Sequence, residues 1–256
     1  MKQKFSILLL ICLLFSIENA AQRNTIKIDA ALDVTTDILS IQQEINFHNN
    51  SGTLLKEIYL HNWANSYKDN NSPLTNRFIE AYDKTLYFAD KKDRGYSEIL
   101  NMSVDFKLAE FSTLKNQSDI VKAILKNPLQ PNQSIKINLT YNVKLPNAKF
   151  TRYGKTTTGY KLRFFYITPA VYKNGWQLMS NLNIDDLYMD VADYDINLKT
   201  PSNLIIHSNL TQSTSEKNNI KNTKLTGKSR TDIYINIDTQ KSFSNFQTDD
   251  ILVSTD

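Results

Sequence analysis

Apolar and polar residues alternate with a period of two along most of this chain. Ile26, Ile28, Ala30, Leu32 and Val34 interleave with Lys27, Asp29 and Asp33, the mark of a half-buried strand. Thr35-Thr36-Asp37 supplies a turn. Ile41, Ile45 and Phe47 then continue a second strand, which ends at His48-Asn49-Asn50-Ser51-Gly52. Two such strands across a short polar turn predict an antiparallel hairpin. Leu54–Trp63 reads as a third strand, with Ile58 and Leu60 on one face.

The alternation breaks between residues 64 and 98, where Asn, Asp, Lys and Tyr dominate. This stretch reads as a long irregular insertion with a short helix over Phe78–Phe88. It is either a surface excursion or a partner-binding or active-site loop, since long irregular loops are often functional. Alternation returns at Met102–Leu108 and Ile120–Leu125. The turn-rich link Asn127-Pro128-Leu129-Gln130-Pro131-Asn132 follows. Ile135 to Leu145 gives the cleanest strand, stopped by Pro146. Asp195–Lys199, Leu204–His207 and Ile233–Ile237 are further strands, and the polar, lysine-rich Ser213–Lys224 is a hairpin tip. Many short strands, polar turns and no long amphipathic helix predict an all-β fold, a β-sandwich or open barrel.

The densest aromatic run is Tyr160–Trp176, which holds one of only two tryptophans. Such a run forms either the middle of a β-core or the wall of a pocket, because aromatic rings supply rigid apolar area at low entropy cost.

The N-terminus changes the picture. Lys2 and Lys4 precede the apolar run Phe5–Ile17. That run falls short of the roughly twenty residues a spanning helix needs. Ala20 and Ala21 follow, so residues 1–21 read as a secretory signal peptide and residues 22–256 as one β-sandwich domain. No membrane span remains after cleavage. Cys12, the one cysteine, falls within the leader as a hydrophobic filler, which leaves the mature chain without disulfides or thiol chemistry. An exported, disulfide-free protein must be held by its core, which suits a periplasm, a cell surface or the extracellular space. The formal charge of +4 and the scattered basic residues give no footprint for nucleic acid.

Familiar catalytic chemistry is missing. The three histidines, His48, His61 and His207, show no i, i+4 pair of the kind a zinc-protease helix carries. There is no Gly-x-Ser-x-Gly elbow and no phosphate-cradling glycine loop. The carboxylates Asp185, Asp186, Asp190, Asp193 and Asp195 form either a calcium site or, lacking ordered spacing, a solvated turn. Lys217, Lys221, Lys224, Lys228 and Arg230 read as a charged hairpin face. No catalytic or metal-ligating residue is assigned.

A family likeness rests on the order of several pieces. They are Ile-Lys-Ile-Asp-Ala-Ala-Leu-Asp at 26–33, Asn-Phe-His-Asn-Asn-Ser at 46–51, Ile-Tyr-Leu-His-Asn-Trp-Ala-Asn-Ser-Tyr at 58–67 and Arg-Gly-Tyr at 94–96. Next come Asn-Pro-Leu-Gln-Pro-Asn-Gln-Ser at 127–134, Arg-Tyr-Gly at 152–154, Pro-Ala-Val-Tyr with Gly-Trp at 169–176, and Tyr-Asp-Ile-Asn-Leu-Lys-Thr-Pro-Ser-Asn at 194–203. In this order the chain resembles the N-terminal domain of exported aminopeptidase N-like zinc metallopeptidases, peptidase family M1, in their divergent bacterial form. The resemblance implies a saddle-like antiparallel β-sandwich without catalytic residues. Zinc would belong to a catalytic domain absent from this chain. One departure is visible: where the family offers a Gln or Glu for the substrate's free amine, this chain has Phe164. A phenyl ring cannot accept a charge-assisted hydrogen bond from an ammonium group.

The leading expectation is a non-catalytic cleft wall, with Phe164, Tyr166, Tyr172 and Trp176 as substrate-cleft candidates. Its partners would be a catalytic peptidase domain or a peptide substrate, and Tyr160–Trp176 and Asp185–Asp195 would face the absent domain. The alternative is a stand-alone surface module that binds peptide or glycan through exposed Tyr166, Tyr172 or Trp176. A third reading, an active peptidase, needs His48, His61 and His207 to converge on zinc.

Overall fold

The first alternating segments pair as their pattern requires. β1 (Asn24–Asp33) and β2 (Ile38–His48) form an antiparallel hairpin with Ile28 opposite Gln43 and Ala30 opposite Ile41. Asp37 takes a positive φ of 56° at the turn. The structure, a computed structural model, describes residues 22–184, 186–239, 244–248 and 252–255. The leader at 1–21 and Asp185 lie outside the described residues.

β3 (Leu55–His61) is followed by a 3-10 helix at Trp63–Tyr67 and by α1 (Pro73–Glu80). The helix starts earlier than the Phe78–Phe88 expected from sequence. Ser72 caps it by accepting from Thr75 N at 3.1 Å, and Pro73 fits the first helical position. Tyr82 ends the run with a φ of 62°. The insertion is also shorter than expected, because β4 (Tyr96–Val104) begins inside it.

β5 (Lys107–Leu108), β6 (Phe111–Leu114), β7 (Gln117–Leu129) and β8 (Ser134–Lys144) follow. Pro128 therefore lies in a strand rather than a link. It is tolerated because the register between β3 and β7 shifts there, so no ladder donor is missed. The aromatic run is only briefly strand, in β10 (Gly159–Arg163) beside β9 (Gly154–Lys155), and in β11 (Thr168–Pro169). The chain closes with β12 (Ala192–Pro201), β13 (Ile205–Ser208), β14 (Thr211–Lys217), β15 (Ile220–Arg230), β16 (Tyr234–Asp238), β17 (Ser244–Gln247) and β18 (Leu252–Thr255). β14 and β15 meet across Asn218-Asn219, both at positive φ, the two-residue turn that suits hairpin twist.

An eight-stranded sheet has the order β14-β15-β12-β1-β2-β8-β4-β5. Two four-stranded sheets, β13-β16-β10-β9 and β11-β3-β7-β6, contribute to the same apolar core. The architecture is β-sandwich-like, and among the described strands one pair departs from antiparallel pairing: β1 and β12 run parallel, Ile28 opposite Ile196. A parallel pair needs a long crossover, and here most of the chain supplies it. Within the core, Gln43 is 3% exposed. Its side chain accepts from Tyr141 Oη and from Ile167 N at 3.2 Å, and donates to Ile167 O. These bonds satisfy a buried amide and fasten the aromatic run to the large sheet.

Candidate functional site: a cavity beside Trp63 and Phe164

Phe164 leaves β10 with a φ of 52°, and the strand ends there. The turn directs Phe165, Tyr166 and Ile167 into the core and leaves Phe164 beside Trp63. The two rings meet edge to face, centroids 5.0 Å apart at 76°. They line a cavity of about 320 Å³ together with Tyr67, Arg152, Tyr153, Arg163 and Asn181. That volume lies at the small end of the range for ligand pockets.

Two glycines place the Arg152–Tyr153 wall. Gly95 and Gly154 both pack against Pro146: a Cβ on Gly95 would lie 2.6 Å from Pro146 Cδ, and one on Gly154 2.0 Å from Pro146 O. Tyr67 Oη and Thr151 Oγ1 are 2.8 Å apart, and burial pushes the Tyr67 phenol up to about 12. The Tyr153 hydroxyl is buried with no hydrogen-bond partner among the described residues. At the mouth, the Arg163 guanidinium lies 4.8 Å from the Phe164 ring centroid. Arg163 also pairs with Asp232 at 2.7 Å and Asp186 at 2.9 Å. Arg152 has no ion pair among the described residues.

A strap, residues 177–184, separates this cavity from a second of about 440 Å³ on the other side of Trp63, lined by Gln117, Leu178, Met179 and Leu182. Trp63, His61, Asp119, Gln117 and Ser66 hold the strap, Ser66 Oγ by accepting from Asn181 Nδ2 at 3.1 Å. Trp63 Nε1 donates to Met179 O at 2.7 Å, and Met179 N donates to His61 Nε2 at 3.1 Å. Asp119 accepts from Ser180 Oγ at 2.9 Å and Asn181 N at 2.7 Å. Gln117 Nε2 donates to Ser180 Oγ at 3.1 Å. Burial lowers His61 to about 4 and raises Asp119 to about 6. At the end of the strap Ile184 lines the first cavity and Leu182 the second, and both are exposed apolar residues, as are Tyr188 and Val191 just after it.

The four sequence candidates do not share one place. Phe164 lines the cavity. Tyr166 is a core residue, 2% exposed, with its hydroxyl 3.1 Å from that of Tyr194. It is therefore not the surface ring that a stand-alone module would use. Tyr172 and Trp176 are half-buried and belong to a separate aromatic cluster with Tyr59.

The histidines also stay apart. His61 is fully buried and accepts from the strap, while His48 meets Ser134 at 2.9 Å. Among the described residues no group of three His, Cys, Asp or Glu is placed to hold a metal. The acidic residues disperse as well: Asp186 goes to Arg163, Asp193 to Arg23 at 3.7 Å and Asp195 to Lys224 at 3.7 Å. Sequence reasoning missed Trp63, Tyr67, Asp119 and Asn181 as site residues. Of these, Asp119 carried a signal, a lone carboxylate directly before the apolar Ile120-Val121.

No family model matches the chain, and no curated protein sequence does. Solved structures do share the fold. A substituted variant of a two-domain M1 zinc metallopeptidase bound to L-tryptophan superposes with a TM-score of 0.51 at 11% identity, covering 91% of this chain and 47% of that one. A variant from Deinococcus radiodurans bound to a Tyr-Ser-Ala substrate gives 0.50 at 11%, over 91% and 46%. The M1 zinc metallopeptidase of the same organism gives 0.50 at 12%, over 91% and 45%. The chain thus has the fold of part of an M1 metallopeptidase and spans under half the length of these enzymes. At this identity the likeness is one of fold.

Proposed function

We propose that this chain is an exported, non-catalytic β-sandwich that forms one wall of a peptide-binding cleft, beside a zinc-peptidase domain lying outside these residues. The observation that carries the reading is the fold likeness to about half of a two-domain M1 enzyme. The aromatic cavity next to an exposed apolar run supports it. In this reading Leu182, Ile184, Tyr188 and Val191 dock the catalytic domain. The cavity takes an apolar peptide side chain against the Trp63–Phe164 pair. Asn181 and the Tyr153 hydroxyl offer hydrogen bonds, since a buried, unpaired hydroxyl gains from a partner. Zinc would reside in the partner domain, and the described residues of this chain do not fit it. Neither nucleic acid nor a bilayer span enters the proposed role.

Phe164 makes the wall unlike an amine anchor. Recognition through it would rest on apolar contact, with no preference for a free N-terminus. A Trp176→Phe variant tests this, because it leaves Trp63 as the one indole. Titration with an apolar tripeptide should change Trp63 emission saturably, and equally for the free-amine and N-acetylated forms. Unchanged emission up to millimolar peptide would sink the proposal.

A second reading, a free-standing module for peptide or glycan, draws on the half-buried Tyr172–Trp176 pair, 5.3 Å apart at 89°. In the unsubstituted protein it would place the ligand-dependent change at Trp176 instead.

A further inference from the structure

β14 (Thr211–Lys217) is an edge of the eight-stranded sheet, paired with β15 on one side alone. With seven residues it is the longest edge strand among the described sheets. β5, β9 and β11 have two residues each, and β6, β13, β17 and β18 have four. An edge strand presents a row of unpaired N–H and C=O groups, and folded proteins blunt it by shortness, proline, a bulge, lysine or a cover. β14 has little of this. The stretch Thr-Gln-Ser-Thr-Ser-Glu-Lys holds no proline, and its one lysine stands last. Its register against β15 runs without a shift from Thr211 opposite Thr226 to Lys217 opposite Ile220. All seven residues are exposed. Glu216 is matched within its own hairpin by Lys221 at 3.4 Å.

Which main-chain groups stay free follows from the turn. Lys217 and Ile220 flank the two-residue turn Asn218-Asn219, so they form a hydrogen-bonded pair. Hydrogen-bonded and non-hydrogen-bonded pairs alternate along an antiparallel ladder. Ser215, Ser213 and Thr211 therefore turn their N–H and C=O groups toward β15. Gln212, Thr214 and Glu216 turn theirs outward, and among the described residues nothing outside the hairpin bonds to them.

This outward row is a template for another extended strand. A foreign peptide draws specificity from pockets for its alternate side chains, and the short polar side chains of β14 build no such pockets. A second β14 needs none. Antiparallel pairing about a two-fold axis at Thr214 uses all seven residues. It sets Thr214 opposite itself, Gln212 opposite Glu216, Ser213 opposite Ser215 and Thr211 opposite Lys217. Outward-facing residues then meet only outward-facing residues, and each such pair exchanges both main-chain hydrogen bonds. No like charges stand opposite each other, and hydroxyl pairs across strands are favourable.

We propose that β14 is a self-association edge: two copies of this chain pair antiparallel along Thr211–Lys217 and join their large sheets across a two-fold axis at Thr214. The inference is independent of the peptidase reading, since β14 lines neither cavity beside Trp63. A strand pair of this length buries less than a standard interface, so the association is weak and depends on concentration.

Analytical ultracentrifugation of the protein after leader removal tests it. The parent should pass from monomer to dimer as its concentration rises. Thr214→Lys and Thr214→Glu, at an exposed site, each set like charges face to face on the axis. Each alone should weaken association about five-fold. A mixture of the two variants should associate at least as well as the parent, because Lys then faces Glu. Thr214→Pro removes an outward N–H, leaves the β15 ladder whole, and should abolish the dimer. A parent that stays monomeric up to millimolar concentration overturns the proposal. So does a dimer that neither charged variant weakens, or a Lys–Glu mixture that associates no better than either variant alone, since each would place the contact elsewhere.

Discussion

Gly154 and Gly175 separate two ways in which a single residue can matter. Both hold positive φ, 120° and 132°, where an L side chain is strained. A Cβ at Gly175 would meet nothing within 4 Å, whereas one at Gly154 would lie 2.0 Å from Pro146 O. Gly175→Ala should therefore cost only backbone strain, roughly 1–3 kcal/mol. Gly154→Ala should cost that plus overpacking of about 1–3 kcal/mol or more. Urea unfolding of the two variants checks this, and equal losses would show that the Pro146 contact relaxes freely. At this scale the sequence was partly legible. The segments Arg94-Gly95-Tyr96 and Arg152-Tyr153-Gly154 stood out, but nothing local indicated that both glycines close on one proline. Phe164 was singled out through the family resemblance, and the structure sets it in the cavity wall. Trp63 was not, because the strap that makes it a wall lies over a hundred residues further along the chain.

The strap at 177–184 shows how an element without regular structure is held. His61 and Asp119, both buried, accept its backbone donors. Their linkage to pH has opposite sign. His61 is lowered from 6.5 to about 4, so its contribution to stability is present above pH 6.5 and lost as pH falls through 4. Asp119 is raised from 3.8 to about 6, so its contribution is present below pH 3.8 and lost as pH rises through 6. Between pH 6 and 4 the two largely offset each other, and their joint effect on stability is nearly level. Asp119→Asn removes one side of the balance. The variant should then lose about 3 kcal/mol between pH 6.5 and 4 relative to the parent. Denaturant titrations at pH 4, 5 and 6.5 measure it, and a parallel pH profile in the two proteins would contradict the assignment. Where pattern and burial agree, as in β1, β2 and β8, element positions were legible. They were not where end signals or tertiary bonds decide. The cap at Ser72 moved the helix to Pro73, and the Gln43–Ile167 bonds hold most of Tyr160–Trp176 in the core without strand pairing.

For the whole molecule, the period-two pattern gave the class, and the resemblance gave the kind of sandwich. The parallel β1–β12 pair could not be read from either strand alone, since its partners lie about 170 residues apart in sequence. The proposed role turns on what stands beside the exposed run at Leu182, Ile184, Tyr188 and Val191. A wall needs an opposite side, and these residues lack a cover among the described residues. The most direct measurement is native mass spectrometry, with zinc analysis, on the protein isolated from its natural source under gentle conditions. The role requires this sequence to be found with a zinc-peptidase domain, in one polypeptide or in a tight complex, carrying stoichiometric zinc. Charged substitutions at Ile184 and Tyr188 should release a separately encoded partner. A free chain of these residues alone, after leader removal and without zinc or partner, would contradict the cleft-wall role.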